Sequence, residues 1–404
     1  MDARRARRGR IAVAVRAGAA VLALAAGGGT ARAFEEPQPV ALDGGPLGTL
    51  HVWAAADGYA YAISGAGRDA LGGDFTSKSL GATMMNTTIE VDKAASPIGF
   101  RLQVGPPNTP TLGKKPDYNE STIYPTGPLF DAYVTAAPSR HVTLSAGHLE
   151  ALEGFEEEYD WSNDNVLTTE LVELQMSNTI GVGADYRRGR LDASVAFGES
   201  FDSGVWNTVQ GRLAWRLGDD DDDEQQAVVF GATNFGRTGP AAHFYGEGAT
   251  TYSEATVGYG PDSNAPLANS TLLGAFVTMT RGDLTVTPEI QYTYAKVDHR
   301  IGLDRFSSNL GAALFATWHF GDTPWSIGSW AEYFASNGPD AWFLNPRAKG
   351  VGVSVTPTWQ GRHVFARADL GVLHLTQIGD GAGYGAHGTK RTLVMALVET
   401  GLMF

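Results

Sequence analysis

The sequence lacks cysteine, any long apolar run and any known enzyme motif. Without cysteine a disulfide framework is excluded, so the chain depends on its fold alone for stability. A membrane-spanning helix needs about 18 or more consecutive apolar residues, and no such run occurs. Together with a mean hydropathy of −0.15, this excludes a polytopic helical membrane protein.

The missing motifs are the Gly-x-Ser-x-Gly of a nucleophile elbow and the His-Glu-x-x-His of a zinc protease. The nine histidines are scattered along the chain. The sequence therefore predicts no enzyme and no cofactor. A hydrolase stays open as an alternative, because active-site residues often lie far apart in sequence.

The composition favours β-structure. The 404 residues include 51 glycines, and 10 % of the chain is aromatic while only 18 % is charged. Such a composition is typical of strands joined by many turns and disfavours a helical bundle. The length admits two or three domains or one large β-barrel.

The first 33 residues have the pattern of an export signal. Five arginines lie within residues 4–10 and an apolar stretch follows them. A small-x-small cleavage site then ends at Ala33. We therefore expect residues 1–33 to be removed and residues 34–48 to form a periplasmic lead. The removed segment carries seven arginines and one aspartate, which leaves a formal charge of −20 on the rest. Such acidity disfavours nucleic-acid binding.

Beyond residue 48, stretches of about ten alternating apolar and polar residues recur, each followed by a turn. The clearest are 283–296, 350–359 and 363–372, and a period of two is the signature of a strand. The alternation continues to the end of the chain. Counting back by twos from Phe404 gives Leu402, Thr400, Val398, Ala396 and Val394, while the other face is more mixed.

Two observations favour a membrane barrel over a soluble β-sandwich. The polar face is rich in Gly, Ser and Thr, as the lining of a water-filled lumen would be. Aromatic residues also lie beside the tight turns, where interfacial girdles need them. These residues are Tyr186, Trp215, Trp318, Phe320, Trp325 and Trp359.

Loop lengths predict the number of strands. Very short and long links alternate along the chain, as periplasmic turns and external loops do in outer-membrane barrels. We take 217–225 as a periplasmic turn and place 251–260 inside a long loop. Residues 49–404 then contain about sixteen antiparallel strands. If 251–260 crossed the membrane instead, the number of strands would change by two. Sixteen strands leave an open aqueous lumen.

Four segments carry a resemblance to a known family: 49–63, 97–107, 129–165 and 179–204. They contain a Gly-Phe-Arg strand, a turn flanked by AYV and L-x-AG, an acidic aromatic loop and the run GVGADY…RLDASVAFG. This part of the chain resembles the putative β-barrel porin-2 family, a distant relative of the phosphate-selective porins. The resemblance implies an all-β outer-membrane porin, although no coiled coil precedes the barrel as in many phosphate-selective porins.

Residues 150–178 form the most acidic loop. Its candidate selectivity residues are Glu153, Glu156, Glu157, Glu158, Asp160 and Asp164. The loop follows the third upward strand, where general porins fold a loop inward, and its aromatic residues could anchor it to the wall. We expect an inward-folded constriction that attracts cations; a solvated external loop is the alternative.

Arginines on predicted lumen-facing positions could oppose that loop across the channel. Arg101, Arg212 and Arg367 are the candidates, and pairing along the wall for structure alone is the alternative. No metal site is expected. The run 219–224 lacks the spacing of an EF-hand loop, and the group Asp160, Asn163, Asp164 and Asn165 is a weak Ca²⁺ candidate.

The sequence thus predicts an outer-membrane porin for passive diffusion of small hydrophilic solutes or ions, with a preference for cations. The alternatives are a channel that selects anionic solutes through luminal arginines, an outer-membrane hydrolase and an adhesion barrel. Expected partners are outer-membrane lipid and lipopolysaccharide, small solutes, and the barrel-assembly machinery, which would recognise Phe404. The barrel would be a monomer or a homotrimer.

Overall fold

The structure is a computed structural model. It describes residues 37–65, 79–105, 109–113, 128–157, 159–175, 179–199, 206–218, 225–235, 270–297, 306–337, 348–378, 383–385 and 387–404. The expected export signal, the acidic run 219–224 and the segment 251–260 lie outside the described residues. In the described ranges, no helix has the length and apolar character needed to cross a membrane.

Seventeen strands occur in the described residues, and all belong to one antiparallel sheet. They are β1 (Val40–Asp43), β2 (Thr49–Ile63), β3 (Leu80–Lys93), β4 (Ile98–Val104), β5 (Leu129–Ser139), β6 (Val142–Leu149), β7 (Thr179–Arg188), β8 (Leu191–Glu199), β9 (Thr208–Arg216), β10 (Gln226–Asn234), β11 (Ser270–Arg281), β12 (Leu284–Ala295), β13 (Ser307–His319), β14 (Trp325–Asn337), β15 (Lys349–Gln360), β16 (Val364–Gln377) and β17 (Thr392–Met403). Each strand from β2 onward pairs with the next. The pairing of β17 with β2, from Met395↔Ile63 to Met403↔Ala55, closes the barrel. The predicted sixteen-stranded barrel is confirmed.

Side-chain exposure confirms the two faces predicted from the alternation. On β15, Val351, Val353 and Val355 are between 42 % and 49 % exposed on the outer wall. Ser354 and Thr356, which alternate with these valines, point inward and are fully buried. The strand period of two puts apolar residues against lipid and polar residues toward the lumen.

Val195 and Ser194 are neighbours in the middle of β8 that face opposite sides of the wall. Val195 is 48 % exposed on the outer face, whereas Ser194 lines the lumen and donates a hydrogen bond to Asp185 at 2.6 Å. We expect Val195→Arg to destabilise the barrel in a bilayer by about 2–4 kcal/mol, because it places a charge against lipid. Ser194→Arg should cost far less. Urea titration in lipid vesicles compares the two, and equal losses would contradict the assignment of faces.

The two ends of the described chain meet on β2. Phe404 and Ala54 exchange two backbone hydrogen bonds, at 2.8 and 3.0 Å. Just beyond them β1 pairs with β2, from Val40↔Val52 to Asp43↔Thr49. Because β3 occupies one edge of β2, β1 pairs with the other edge, the one that β17 also uses, and lies beyond the end of β17 along it. Part of the expected lead 34–48 is therefore a strand.

Candidate channel constriction

The acidic loop between β6 and β7 lies inside the barrel. We call its described residues, 150–157 and 159–175, the inward loop. Five of its apolar side chains are fully buried against inward-facing side chains of β2, β13, β14, β16 and β17, including Tyr59, Phe334 and Leu397. These loop residues are Trp161, Val166, Leu167, Leu171 and Leu174. The predicted inward-folded acidic loop is confirmed, and it covers one wall of the lumen.

Wall carboxylates accept hydrogen bonds from the backbone of the inward loop. Asp369 on β16 accepts from the amides of Val166 and Leu167 at 3.1 and 2.9 Å. Glu332 on β14 accepts from the amide of Glu170 at 2.9 Å. A loop that leaves water needs such partners, since buried backbone groups without them cost free energy. The carboxyl groups of Asp369 and Glu332 therefore hold the inward loop against the wall.

Glycines on the inner wall give the loop room to approach. A Cβ on Gly371 would lie 2.7 Å from methyl carbons of both Leu112 and Leu167, and one on Gly328 would collide with the backbone oxygen of Asp164. A side chain at position 328 has no room against this backbone, and one at position 371 would force both leucines to shift. The loop therefore lies directly on the backbone of β14 and β16.

Arg367 on β16 is the strongest link between wall and loop. Its side chain is fully buried, and its Nη2 lies 2.5 Å from Asp160 Oδ2 and 2.7 Å from Glu399 Oε2. Its Nη1 donates to the backbone oxygens of Asp160 and Asn163 at 2.9 and 2.8 Å. The structure thus places Arg367 beneath the loop and away from the open lumen.

Asn86 on β3 completes the same cluster from the other side. Its Nδ2 donates to Asp160 Oδ1 at 2.6 Å and to Asp57 Oδ2 at 3.2 Å. Its backbone amide donates to Asp57 Oδ1 at 3.1 Å. We call Asp57, Asn86, Asp160, Arg367 and Glu399 the latch cluster. Asp57, Asn86 and Glu399 were not predicted from the sequence, because their contacts depend on the path of the loop.

The predicted acidic selectivity residues have different surroundings. Glu153, Glu156 and Asp160 are buried, Asp164 is half-buried and accepts a hydrogen bond from Thr317, and Glu157 is exposed. Glu158 lies outside the described residues. The amides of the weak Ca²⁺ candidate also hold the loop: Asn163 donates to Glu157 O at 2.8 Å and Asn165 donates to Thr356 at 2.8 Å.

Glu156 shows what burial does to a carboxyl group in this loop. Burial raises the pKa of Glu156 to about 7, although hydrogen bonds from the Thr169 amide and hydroxyl act in the opposite direction. The folded state therefore favours the protonated form. The stability that Glu156 contributes is fully present below its usual pKa and is lost as the pH rises through about 7.

The open part of the lumen lies against the opposite wall. A cavity of about 680 Å³ is lined mainly by β5 to β9. Its basic residues are Arg140, His141, Arg187, Arg212 and Arg216, and its acidic residues are Glu150, Asp185 and Asp192. Arg187 pairs with Asp192 at 2.6 Å, and Arg212 lies over the ring of Phe276, 5.4 Å from its centroid. Arg140 and His141, which lie in the tight turn after β5, were not among the residues predicted from the sequence.

Arg101 on β4 lies at the edge of this region and is about one-third exposed. It forms ion pairs with Glu150 at 2.5 Å and Glu90 at 2.9 Å, and lies 4.0 Å from Asp131. Of the three predicted arginines, the structure therefore places Arg212 in the open cavity, Arg101 in a paired group beside it and Arg367 under the loop.

Solved structures share the architecture. The anion-selective porin from Comamonas acidovorans has a TM-score of 0.53 at 9 % identity, covering 88 % of this chain and 99 % of that one. The trimer form of in-vitro folded OmpT from Vibrio cholerae gives the same four values. OprB of Pseudomonas putida has a TM-score of 0.53 at 8 % identity, covering 88 % and 94 %. Identities this low show the fold alone.

None of the curated proteins compared with the chain matches it. A family model matches residues 49–404, which is the whole barrel. Together with the porin fold of the solved neighbours, this match points to a channel in the bacterial outer membrane. The chain belongs to the putative beta-barrel porin-2, OmpL-like family.

Proposed function

We propose that the protein is a passive diffusion channel for small hydrophilic solutes, which cross between the inward loop and the wall formed by β5 to β9. The cavity of about 680 Å³ on that side supports this path. The opposite wall is covered by the loop, whose apolar residues exclude water there. The family and the fold support a channel over the hydrolase and the adhesion barrel.

We further propose that this channel prefers anionic solutes, those that carry carboxylate or phosphate groups. The observation that carries this proposal is the set of four arginines, Arg140, Arg187, Arg212 and Arg216, in the lining of the open cavity. Of the acidic residues on which a cation preference would depend, Glu153, Glu156 and Asp160 are buried. Guanidinium groups bind carboxylates and phosphates through paired hydrogen bonds.

A cation preference is the second candidate. Glu157 is exposed on the inward loop and Glu150 lines the cavity. The whole chain also carries a formal charge of −14, which raises the local concentration of cations near the channel.

Neutralising Arg187, Arg212 and Arg216 together should lower the chloride-to-potassium permeability ratio by about fivefold or more, since one unit charge a few ångströms from an ion is worth about 1 kcal/mol in water. Reversal potentials in a KCl gradient across a planar bilayer measure this ratio. Arg188→Gln is the matched control, because Arg188 is exposed at the end of β7. A potassium preference in the unmodified protein, or an unchanged ratio in the triple variant, would favour the second candidate.

We also propose the assembly partners. The outer wall exposes apolar side chains such as Leu310, Leu314 and Leu370, which suit outer-membrane lipid and lipopolysaccharide. Phe404 is 52 % exposed on that wall and stacks on His363 with ring centroids 5.5 Å apart, so it is open to recognition by the barrel-assembly machinery. A homotrimer is the proposed assembly, with a monomer as the alternative.

A further inference from the structure

Three carboxylates of the latch cluster come together from distant parts of the chain. Asp57 lies on β2, Asp160 on the inward loop and Glu399 on β17. One oxygen from each lies within 4.8 Å of the other two. All three residues are buried, with at most 2 % of their surface exposed. The cluster therefore joins the loop to both strands that close the barrel.

The charges of this cluster do not balance. Among the described residues, Arg367 is the cation that contacts these carboxylates. Three carboxylates and one guanidinium leave two negative charges among buried groups. Burying unpaired charge is costly, and proteins avoid the cost by adding a proton or a cation. A divalent cation would make the cluster neutral.

The hydrogen bonds of the cluster leave one oxygen for such an ion. Arg367 donates to Glu399 Oε2 from both Nε and Nη2. Asn86 donates to both oxygens of Asp57 and to Asp160 Oδ1. Glu399 Oε1, in contrast, is buried and has no hydrogen-bond partner. A buried acceptor beside two other carboxylates indicates a ligand.

We propose that Asp57, Asp160 and Glu399 bind one divalent cation, and that this cation is Ca²⁺. Carboxylate oxygens are the ligands of hard cations. Ca²⁺ accepts irregular sets of protein oxygens, whereas Mg²⁺ keeps several of its own waters and is seldom bound by protein groups alone, so a buried set of carboxylates favours Ca²⁺. The ion fastens the inward loop to β2 and β17 and so sets the width of the channel. This site differs from the loop-tip group 160–165, since two of its three ligands are on the wall.

Protons are the competing explanation, because two shared protons would also neutralise the cluster. A proton-filled cluster would not respond to Ca²⁺, and it would gain stability when Glu399 becomes Gln. A Ca²⁺ site predicts that Ca²⁺ stabilises the protein, and that Glu399→Gln lowers its stability when Ca²⁺ is present.

The test uses the full-length barrel in detergent after treatment with EDTA. Terbium(III), which replaces Ca²⁺ and emits when excited through a nearby tryptophan, should show luminescence excited through Trp161, the buried neighbour of Asp160 in the chain. Excess Ca²⁺ should displace it. Ca²⁺ at about 100 times its dissociation constant should raise the unfolding temperature by on the order of 5 °C.

Three variants locate the site. Glu399→Gln and Asp57→Asn should each abolish both the luminescence and the thermal shift. Glu332→Gln, which changes another buried carboxyl group under the same loop, should keep both. Trp161→Phe should lose the luminescence and retain the Ca²⁺-dependent thermal shift. The proposal is overturned if the unmodified protein shows no Ca²⁺-dependent shift, or if Glu399→Gln behaves like Glu332→Gln.

Discussion

Arg367→Met is expected to free the inward loop and to raise the single-channel conductance several-fold. Removing one partner of a buried ion pair costs about 3–5 kcal/mol, because the other charge stays buried without compensation. Here the change leaves Asp160 and Glu399 side by side in a fully buried place. It also removes the donors to the backbone oxygens of Asp160 and Asn163. The least costly response is for Asp160 to leave the wall and enter water with its loop.

Planar-bilayer recordings measure the conductance, and limited proteolysis of the loop reports its release. Arg188→Met is the control, because it removes an exposed arginine without touching the loop. In Ca²⁺-free buffer, adding Glu399→Gln to Arg367→Met should recover part of the lost protection, since it removes one unpaired charge. A normal conductance together with full protection in Arg367→Met would show that the arginine does not hold the loop.

The second large effect is expected from the apolar anchors of the loop. Leu167 and Leu171 are both fully buried. Leu171 packs over Gly311, where a Cβ would lie 2.8 Å from its side chain. Truncating a buried leucine to alanine costs about 2–5 kcal/mol. The double variant Leu167→Ala with Leu171→Ala should therefore lose the packing that holds the middle of the loop, and its channel should switch between narrow and wide conductance levels.

The matched control is Leu314→Ala, because Leu314 is 49 % exposed on the outer wall. It removes the same atoms from a side chain that contacts lipid, so the conductance should stay at one level. If both variants give the same single level, apolar packing does not determine the position of the loop.

The barrel could be predicted from the sequence because its signal is local. A period of two needs only a few neighbouring residues to be recognised, and the apolar face of β15 is unbroken from Val351 to Trp359. Loop lengths then gave the number of strands without any knowledge of their pairing.

The contacts of the inward loop could be predicted only in part, because they join residues that are distant in sequence. Arg367 and Asp160 are 207 positions apart, and nothing near either residue indicates that they meet. One sign was available in the sequence. The inward face of β17 is mixed because Leu393, Met395 and Leu397 pack under the loop, whereas a wall facing water would be polar. Apolar residues on the inner face therefore mark where a loop lies.

The latch cluster also has a consequence for the order of assembly. Its members come from β2, β3, the inward loop, β16 and β17, and two of them, Asp57 and Glu399, lie on the two strands whose pairing completes the barrel. The inward loop cannot reach its final place before that last pairing forms. A barrel still held open during membrane insertion would therefore have a wide lumen, and narrowing would be the final event of its biogenesis.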